Sequence, residues 1–242
     1  MHAAAAQEPA NASARQQDAD LVARAGRGEA HAFEAIMRRH NRLLFRSARG
    51  IVDDDAEAQD VVQETYLRAF SSLASFRGDA ALGSWLARIA INVALDVQRR
   101  RRRSVPLDAA QDLDHEPATE HMMAFAAPRI TAPDSQVEQG QMRTLLQGAI
   151  DRLPPIYRSV FILRAVQEMS VDQTAFCLQV SDAVVKTRYL RARALLRDAL
   201  GAQVEAHAND VYAFAGARCD AVVSHVLDAL RRQGRIDPDA PG

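Results

Sequence analysis

Residues 170–196 read Ser170-Val171-Asp172-Gln173-Thr174-Ala175-Phe176-Cys177-Leu178-Gln179-Val180-Ser181-Asp182-Ala183-Val184-Val185-Lys186-Thr187-Arg188-Tyr189-Leu190-Arg191-Ala192-Arg193-Ala194-Leu195-Leu196. Ser170 and Gln173 make a capping-box pattern: the hydroxyl accepts from the backbone three residues on, and the amide side chain reaches back. Val171, Thr174, Ala175 and Leu178 then give one face to a short helix. Gln179-Val180-Ser181 is the turn, and Ser181 or Asp182 can cap a second helix that runs to about Leu200. On that helix Val185, Tyr189, Ala192 and Leu196 form the stripe to be buried. Ala183, Thr187, Leu190, Arg191 and Ala194 point the other way, flanked by Lys186, Arg188 and Arg193. A short capped helix, a three-residue turn and a longer basic helix fit a DNA-reading helix-turn-helix. Taken alone, the stretch also fits an ordinary helical hairpin with a solvated basic face.

Charge and proline set the bounds around it. Upstream, Leu153-Pro154-Pro155 starts a helix, since proline is favoured in a first turn; it continues through Tyr157, Val160, Phe161, Leu163 and Val166. Residues 138–200 carry nine basic groups against six acids. Residues 104–137 carry Arg129 against six acids, with Pro106, Pro117, Pro128 and Pro133. That mixture, without sustained periodicity, predicts a flexible acidic linker. Residues 18–103 carry 15 Arg against 12 acids and no proline, which permits long helices. Residues 1–17 sum to zero charge and are expected to be disordered.

The proline-free block reads as four helices. Asp20-Leu21-Val22 opens a short one that Gly26 and Gly28 stop. The second runs from about Glu29 to Arg49, with Phe33, Ile36, Met37, His40, Leu44 and Ala48 at three- and four-residue steps. Asp53-Asp54-Asp55 offers N-caps to the third, roughly Ala56–Leu73. Val61, Val62 and Thr65 mark its inner side, and Asp60, Gln63, Glu64 and Arg68 its polar edge. Phe76-Arg77-Gly78-Asp79 is a loop whose aromatic can stack on an unpaired base or plug the domain. The fourth helix, about Ala80–Arg103, has Trp85 on its apolar stripe and ends in five arginines, Arg99 to Arg103. Cations favour a helix C-terminus, but five exceed what capping needs, and the guanidinium fork suits phosphate. After Gly201, Cys219, Val222, Val223, Val226, Leu227 and Leu230 predict one more amphipathic helix, about Ala217–Arg232, packed on the second block.

The 242 residues are 48% hydrophobic and 25% charged, enough to bury a core. No apolar run approaches 18 residues, so no membrane insertion is expected. Two cysteines, Cys177 and Cys219, make neither a disulfide framework nor a metal spacing, and a reducing cytoplasm is the simplest home. His207, Cys219 and His225 are too scattered for a metal site. No glycine-rich phosphate loop or nucleophile motif is present, so neither an enzyme nor a cofactor is expected. The fold class is therefore all-α: two small helical domains, 18–103 and 138–200, on a flexible acidic linker, with a C-terminal helical extension over 201–242.

Taken together the chain resembles an extracytoplasmic-function (ECF) RNA polymerase sigma factor. The resemblance rests on Asp60-Val61-Val62-Gln63-Glu64-Thr65-Tyr66-Leu67-Arg68-Ala69-Phe70, Phe76-Arg77-Gly78-Asp79 and Trp85-Leu86-Ala87-Arg88-Ile89-Ala90-Ile91-Asn92. In the second block it rests on Leu153-Pro154-Pro155, Lys186-Thr187-Arg188 and Arg191-Ala192-Arg193-Ala194-Leu195-Leu196-Arg197. It implies two partners, core RNA polymerase and promoter DNA, and admits a third, an anti-sigma factor, for which the C-terminal extension is a possible surface. Asp60, Gln63, Glu64 and Arg68 would dock on the polymerase. Phe76, Arg77 and Asn92 would capture a flipped base of the −10 element, with Arg99 and Arg100 on the backbone. Asp182, Lys186, Thr187, Arg188, Leu190 and Arg191 would read the −35 element. Leu82 and Gly83 stand where many relatives carry an aromatic, and Gln179 stands where Gly, Asn or Asp is common in the turn. The implied spacing of about 17 base pairs is roughly 58 Å of B-form DNA, within reach of an extended 34-residue linker. A stand-alone helix-turn-helix regulator of duplex operators is the alternative, though it leaves Phe76–Asn92 unexplained.

Overall fold

A computed structural model describes residues 7–104, 136–200 and 216–236; residues 105–135 of the linker predicted over 104–137 and the start of the extension, 201–215, lie outside them. Among the described residues the regular elements are all helices: α1 Gln7–Gly26, α2 Ala30–Arg49, α3 Asp55–Ser71, α4 Leu82–Ser104, α5 Gln136–Asp151, α6 Pro155–Phe161, α7 Val171–Leu178, α8 Asp182–Leu200 and α9 Ala217–Arg232. α1 starts at Gln7, so the expected disorder over 1–17 gives way to helix from Gln7 onward. Its inner end is tied down, because Arg39 pairs with Asp18 at 2.6 Å.

α2, α3 and α4 make the first module. Their apolar faces meet around Ile36, Met37, Leu44, Val62 and Leu86, all under 2% exposed. Asp54 caps α3, its carboxylate accepting from the Ala56 N–H at 2.6 Å. The Tyr66 hydroxyl crosses the core to donate to the Met37 carbonyl at 3.1 Å. Such a bond is required where burial would otherwise strand a phenol, and burial pushes the Tyr66 phenol well up. The second module packs α6 and α8 together, with α5 and α7 flanking. A π-helical turn over Ile162–Val166 leads from α6 to the α7 capping box.

The two modules pack against each other, and one apolar core runs through both. The C-terminal end of α2 lies against α6. A Cβ on Gly50 would stand 3.0 Å from the Ser159 backbone, so only glycine permits this approach. Arg158, 1% exposed, spans the seam and donates to the carbonyls of Gly50 (3.3 Å), Ile51 (3.1 Å) and Asp151 (2.8 Å) and to the Asp53 carboxylate (2.7 Å). Arg49 crosses it as well, bonding Asp151 and Asp55, each at 2.9 Å. On the other flank α7 lies on α4, where the Cys177 thiol points at the Ser84 carbonyl (3.4 Å).

α9 has the predicted bounds but not the predicted neighbour. It lies on α2 and α3 of the first module rather than on the second. The physical reason is its apolar stripe, which packs on those helices; polar partners rim the contact, Arg218 with Asp55 (2.7 Å), Asp220 with Arg38 (2.8 Å), and Cys219 Sγ accepting from the Asn41 amide (2.9 Å). Val222, Val223, Val226, Leu227 and Leu230 are buried beneath it. Each is worth roughly 1.5–3 kcal/mol when fully buried, so α9 is part of the core.

His40 on α2 supplies a pH dependence. Burial pushes its imidazole down to about 4, with Asp18 pulling it up and Arg39 pushing it down. The folded pKa lies below the unfolded one. The stability from the neutral ring is therefore complete above about pH 6.5 and is lost as pH falls toward 4, by up to about 3 kcal/mol. Urea denaturation at pH 7 and pH 4.5 should show a loss in the wild type that His40→Gln reduces; equal losses in both would contradict this assignment.

Candidate nucleic-acid and protein-docking surfaces

Three surfaces carry the residues singled out in the sequence. The first is the outer face of α3. Asp60, Glu64 and Arg68 recur every four residues and so share one side of the helix. Glu64 pairs with Arg68 at 2.6 Å, and Arg68 reaches Asp96 on α4 at 3.5 Å. Gln63 is half-buried at the margin of this face. α9 covers the adjoining side of α3, leaving Asp60 and Arg68 exposed. Surface pairs of this kind add little stability, so the face is free to exchange its partners for those of another protein.

The second surface is the loop after α3 with the outer side of α4. Phe76 is half-buried, its ring 5.4 Å from that of Trp85, while Arg77 is exposed. Of the two roles considered for Phe76, the contact is the packing one: it plugs the loop onto α4 and stays partly exposed there. Gly83 is there because space is short. A Cβ would lie 3.1 Å from the Leu43 side chain and 3.3 Å from His40 Nδ1. Leu82, 1% exposed, is core. Asn92 lies farther along the outer side of α4, and its Oδ1 accepts from the Gln179 amide at 3.0 Å. Beyond it Arg99 bonds Asp96 at 2.9 Å, Arg100 donates to the Asp96 carbonyl at 3.3 Å, and Arg101 reaches Glu57 at 3.6 Å. Part of the arginine run is thus held locally, while Arg99, Arg100, Arg101 and Arg103 remain exposed.

The third surface is the helix-turn-helix. Both halves of the α7 capping box form: Ser170 Oγ accepts from the Gln173 N–H (3.0 Å) and Gln173 Oε1 from the Ser170 N–H (2.8 Å). Ser181 supports α8 through a long 3.4 Å bond from the Val184 N–H. Gln179 adopts the left-handed backbone of the turn, at φ 56° and ψ 42°, which costs a side-chain-bearing residue roughly 1 kcal/mol. Its side chain offsets this by bonding Asn92. Val185, Ala192 and Leu196 face inward as predicted. Asp182, Lys186, Thr187, Leu190 and Arg191 are exposed together, Leu190 at 64%, and Arg188 is half-buried. An exposed leucine between two cations is what a reader of thymine methyl groups between phosphates needs.

The sequence did not reveal that the second and third surfaces meet. Besides Gln179 on Asn92, the Arg88 guanidinium lies 4.8 Å from the Phe176 ring centre. The turn of the helix-turn-helix therefore covers Asn92, whereas the outer face of α8 stays open. One signal was available: Arg158 stands alone as a cation among Tyr157, Val160 and Phe161.

Known proteins share these elements in this order. Residues 36–104 match the Sigma-70 region 2 family and residues 143–196 the Sigma-70, region 4 family. The RNA polymerase sigma-H factor of Pseudomonas aeruginosa is 32% identical over 77% of this chain and 95% of its own length. The ECF RNA polymerase sigma factor SigM of Mycobacterium tuberculosis is 35% identical over 77% of this chain and 86% of its own. Among solved structures, CnrH in complex with the cytosolic domain of CnrY aligns at a TM-score of 0.50 and 27% identity, covering 74% of this chain and 94% of that one. With region 2 on α2–α4, region 4 on the helix-turn-helix and near full-length relatives at this identity, the chain belongs to the ECF sigma factors of RNA polymerase.

Proposed function

We propose that the chain lends core RNA polymerase its choice of promoter and supplies no catalytic chemistry of its own. The outer face of α3 (Asp60, Gln63, Glu64, Arg68) docks on the polymerase. Phe76, Arg77 and Asn92 capture an unpaired base of the −10 element, and Arg99 and Arg100 hold its backbone. Asp182, Lys186, Thr187, Arg188, Leu190 and Arg191 read the −35 duplex. Extruding a base costs a few kcal/mol, which a waiting pocket offsets; Asn92 has both a donor and an acceptor to offer. The observation that supports this reading is the presence on one chain of an exposed basic face on α8 and, besides it, a loop-and-asparagine surface with an aromatic, a cation and an amide. A free operator-binding regulator needs only the first. The work is done in the cytoplasm, and an anti-sigma factor that bound both modules would keep them from DNA.

In the closed form Gln179 occupies Asn92, so the −10 contact requires the modules to part while the −35 contact does not. The test is the dependence of promoter binding on core polymerase. A mobility shift on a double-stranded promoter should appear with polymerase and be weak without it. Tight sequence-specific binding by the chain alone would favour the stand-alone regulator.

A further inference from the structure

We propose that the tail of α9 completes a second nucleotide site beside Phe76, in which Arg235 holds a phosphate of the melted −10 strand and an apolar cavity takes the adjoining base. This deepens the reading above and rests on it for its ligand. The stretch Arg232-Gln233-Gly234-Arg235-Ile236 places the cation. Gly234 takes the left-handed backbone that commonly ends a helix, at φ +65°. Its N–H donates to the Arg231 carbonyl (2.9 Å) and the Arg235 N–H to the Leu230 carbonyl (3.0 Å), the two bonds of a Schellman turn. The chain therefore folds back at Arg235 instead of running on along the helix axis. Two contacts fix it there. Ile236 is buried, at 4% exposure. Gly28, at φ +86°, lets the Arg235 carbonyl come within 3.0 Å of where a Cβ would stand.

The guanidinium thus reaches the end of α3, where it donates to the Phe70 carbonyl (3.3 Å) and is otherwise exposed. Among the described residues no carboxylate pairs with it. Glu29 of the α1–α2 turn is taken up by Arg24 (2.6 Å) and Arg27 (2.9 Å). A guanidinium carries five donors, so most of them remain open to an anion. Arg235 and Phe76 line one cavity of about 410 Å³, walled by Phe33, Phe70, Leu73 and Ala74, a volume within the range that holds a small ligand. No α4 residue borders it, so Phe76 stands between the cavity and Trp85. The cavity continues the line of the proposed −10 contacts. At about 1.5 Å per residue, Asn92 lies roughly 12 Å along α4 from Arg100, and Trp85 roughly 10 Å beyond it. A strand laid on that line meets Arg100, Asn92, Phe76 and then Arg235, cations interleaved with faces for bases, as in single-strand grooves. Walls of rings and aliphatic groups stack a base without reading its edge, so this site tolerates any base.

The test is binding of polymerase holoenzyme to a fluorescent single strand carrying the −10 element of a promoter mapped by run-off transcription. Arg235→Gln should weaken binding about tenfold and reduce the slope against log salt by about 0.7, whereas Arg235→Lys should keep the slope. An abasic residue moved along the strand should weaken wild-type binding about tenfold at two positions. Ala74→Phe, which fills the cavity from an exposed position, should remove the sensitivity at one of them only. Alkylation of Cys219, on α9 against Asn41, checks that the tail stays docked; should Arg235→Gln free it, the abasic scan with Ala74→Phe decides. An unchanged salt slope in Arg235→Gln with Cys219 still protected, or a single sensitive position that Ala74→Phe leaves alone, would overturn the site. If Phe76→Ala and Asn92→Ala weaken binding in that case, the failure is confined to this site. No binding of the strand by wild-type holoenzyme would instead overturn the proposed function, and the site with it.

Discussion

Replacing Arg158 by alanine should part the two modules. The side chain is 1% exposed and feeds four acceptors at once. Asp151 ends α5, and Gly50 and Ile51 follow α2, so the cation sits at the carbonyl ends of two helices. Those ends carry unsatisfied acceptors and partial negative charge, and Gly50 and Ile51 are buried in the closed seam. Asp53 is exposed and keeps its hydration, but the buried Gly50 and Ile51 carbonyls are left without a partner, at about 1–3 kcal/mol each, together equivalent to roughly a hundredfold more of the open form. The carbonyls recover hydration when the modules separate, so the loss falls on the contact between modules more than on either core. Alkylation of Cys177 should accelerate accordingly. Burial pushes that thiol up to about 12, which keeps it unreactive in the closed form. Uncovering Asn92 should also strengthen binding of polymerase holoenzyme to a pre-melted −10 strand. A Cys177 rate equal to the wild type would show that Arg158 does not hold the seam.

Reversing two charges on α8, Lys186→Glu with Arg191→Glu, should abolish recognition of the −35 duplex. Both side chains are exposed on the face that carries Leu190. The fold should be untouched, because the stripe that packs α8 is Val185, Ala192 and Leu196. On DNA each lost cation removes one released counterion, and each new carboxylate faces phosphate. Like-charge juxtaposition costs several kcal/mol, so holoenzyme affinity should fall about a hundredfold or more, with a shallower salt dependence. The conservative Leu190→Ala should act differently, relaxing discrimination at one base pair while leaving the salt slope alone. A double reversal that still directs −35-dependent transcription would place the reader elsewhere.

What could be read from residues and what could not divides along contact range. The capping box at Ser170 and Gln173, the inner stripe of α8, the Asp54 cap and the bounds of α9 are short-range patterns, legible in the spacing itself. The seam is not short-range. Arg158, Asp151 and Gly50 lie up to 108 residues apart in sequence, and each reads locally as ordinary helix or turn. Gln179 looked only like a poor turn residue. Its use appears once Asn92, 87 residues away, is opposite it. The same holds for α9. Its amphipathic face predicts burial but not against what, because the surface it meets on α2 and α3 lies far away in sequence. The start of α1 was missed because Gln7–Arg15 lack the periodic apolar face that later helices show. On the candidate site the exposure of the outer face of α8 and of the polar edge of α3 was legible, whereas the cover over Asn92 was not.

The central claim is tested most directly by run-off transcription from genomic DNA fragments with core polymerase, with and without the chain, followed by sequencing of transcript 5′ ends. New start sites should appear only when both are present, sharing two upstream motifs at a fixed separation, and the Asn92→Ala chain should lose most of them. An unchanged set of starts on adding the chain would contradict it.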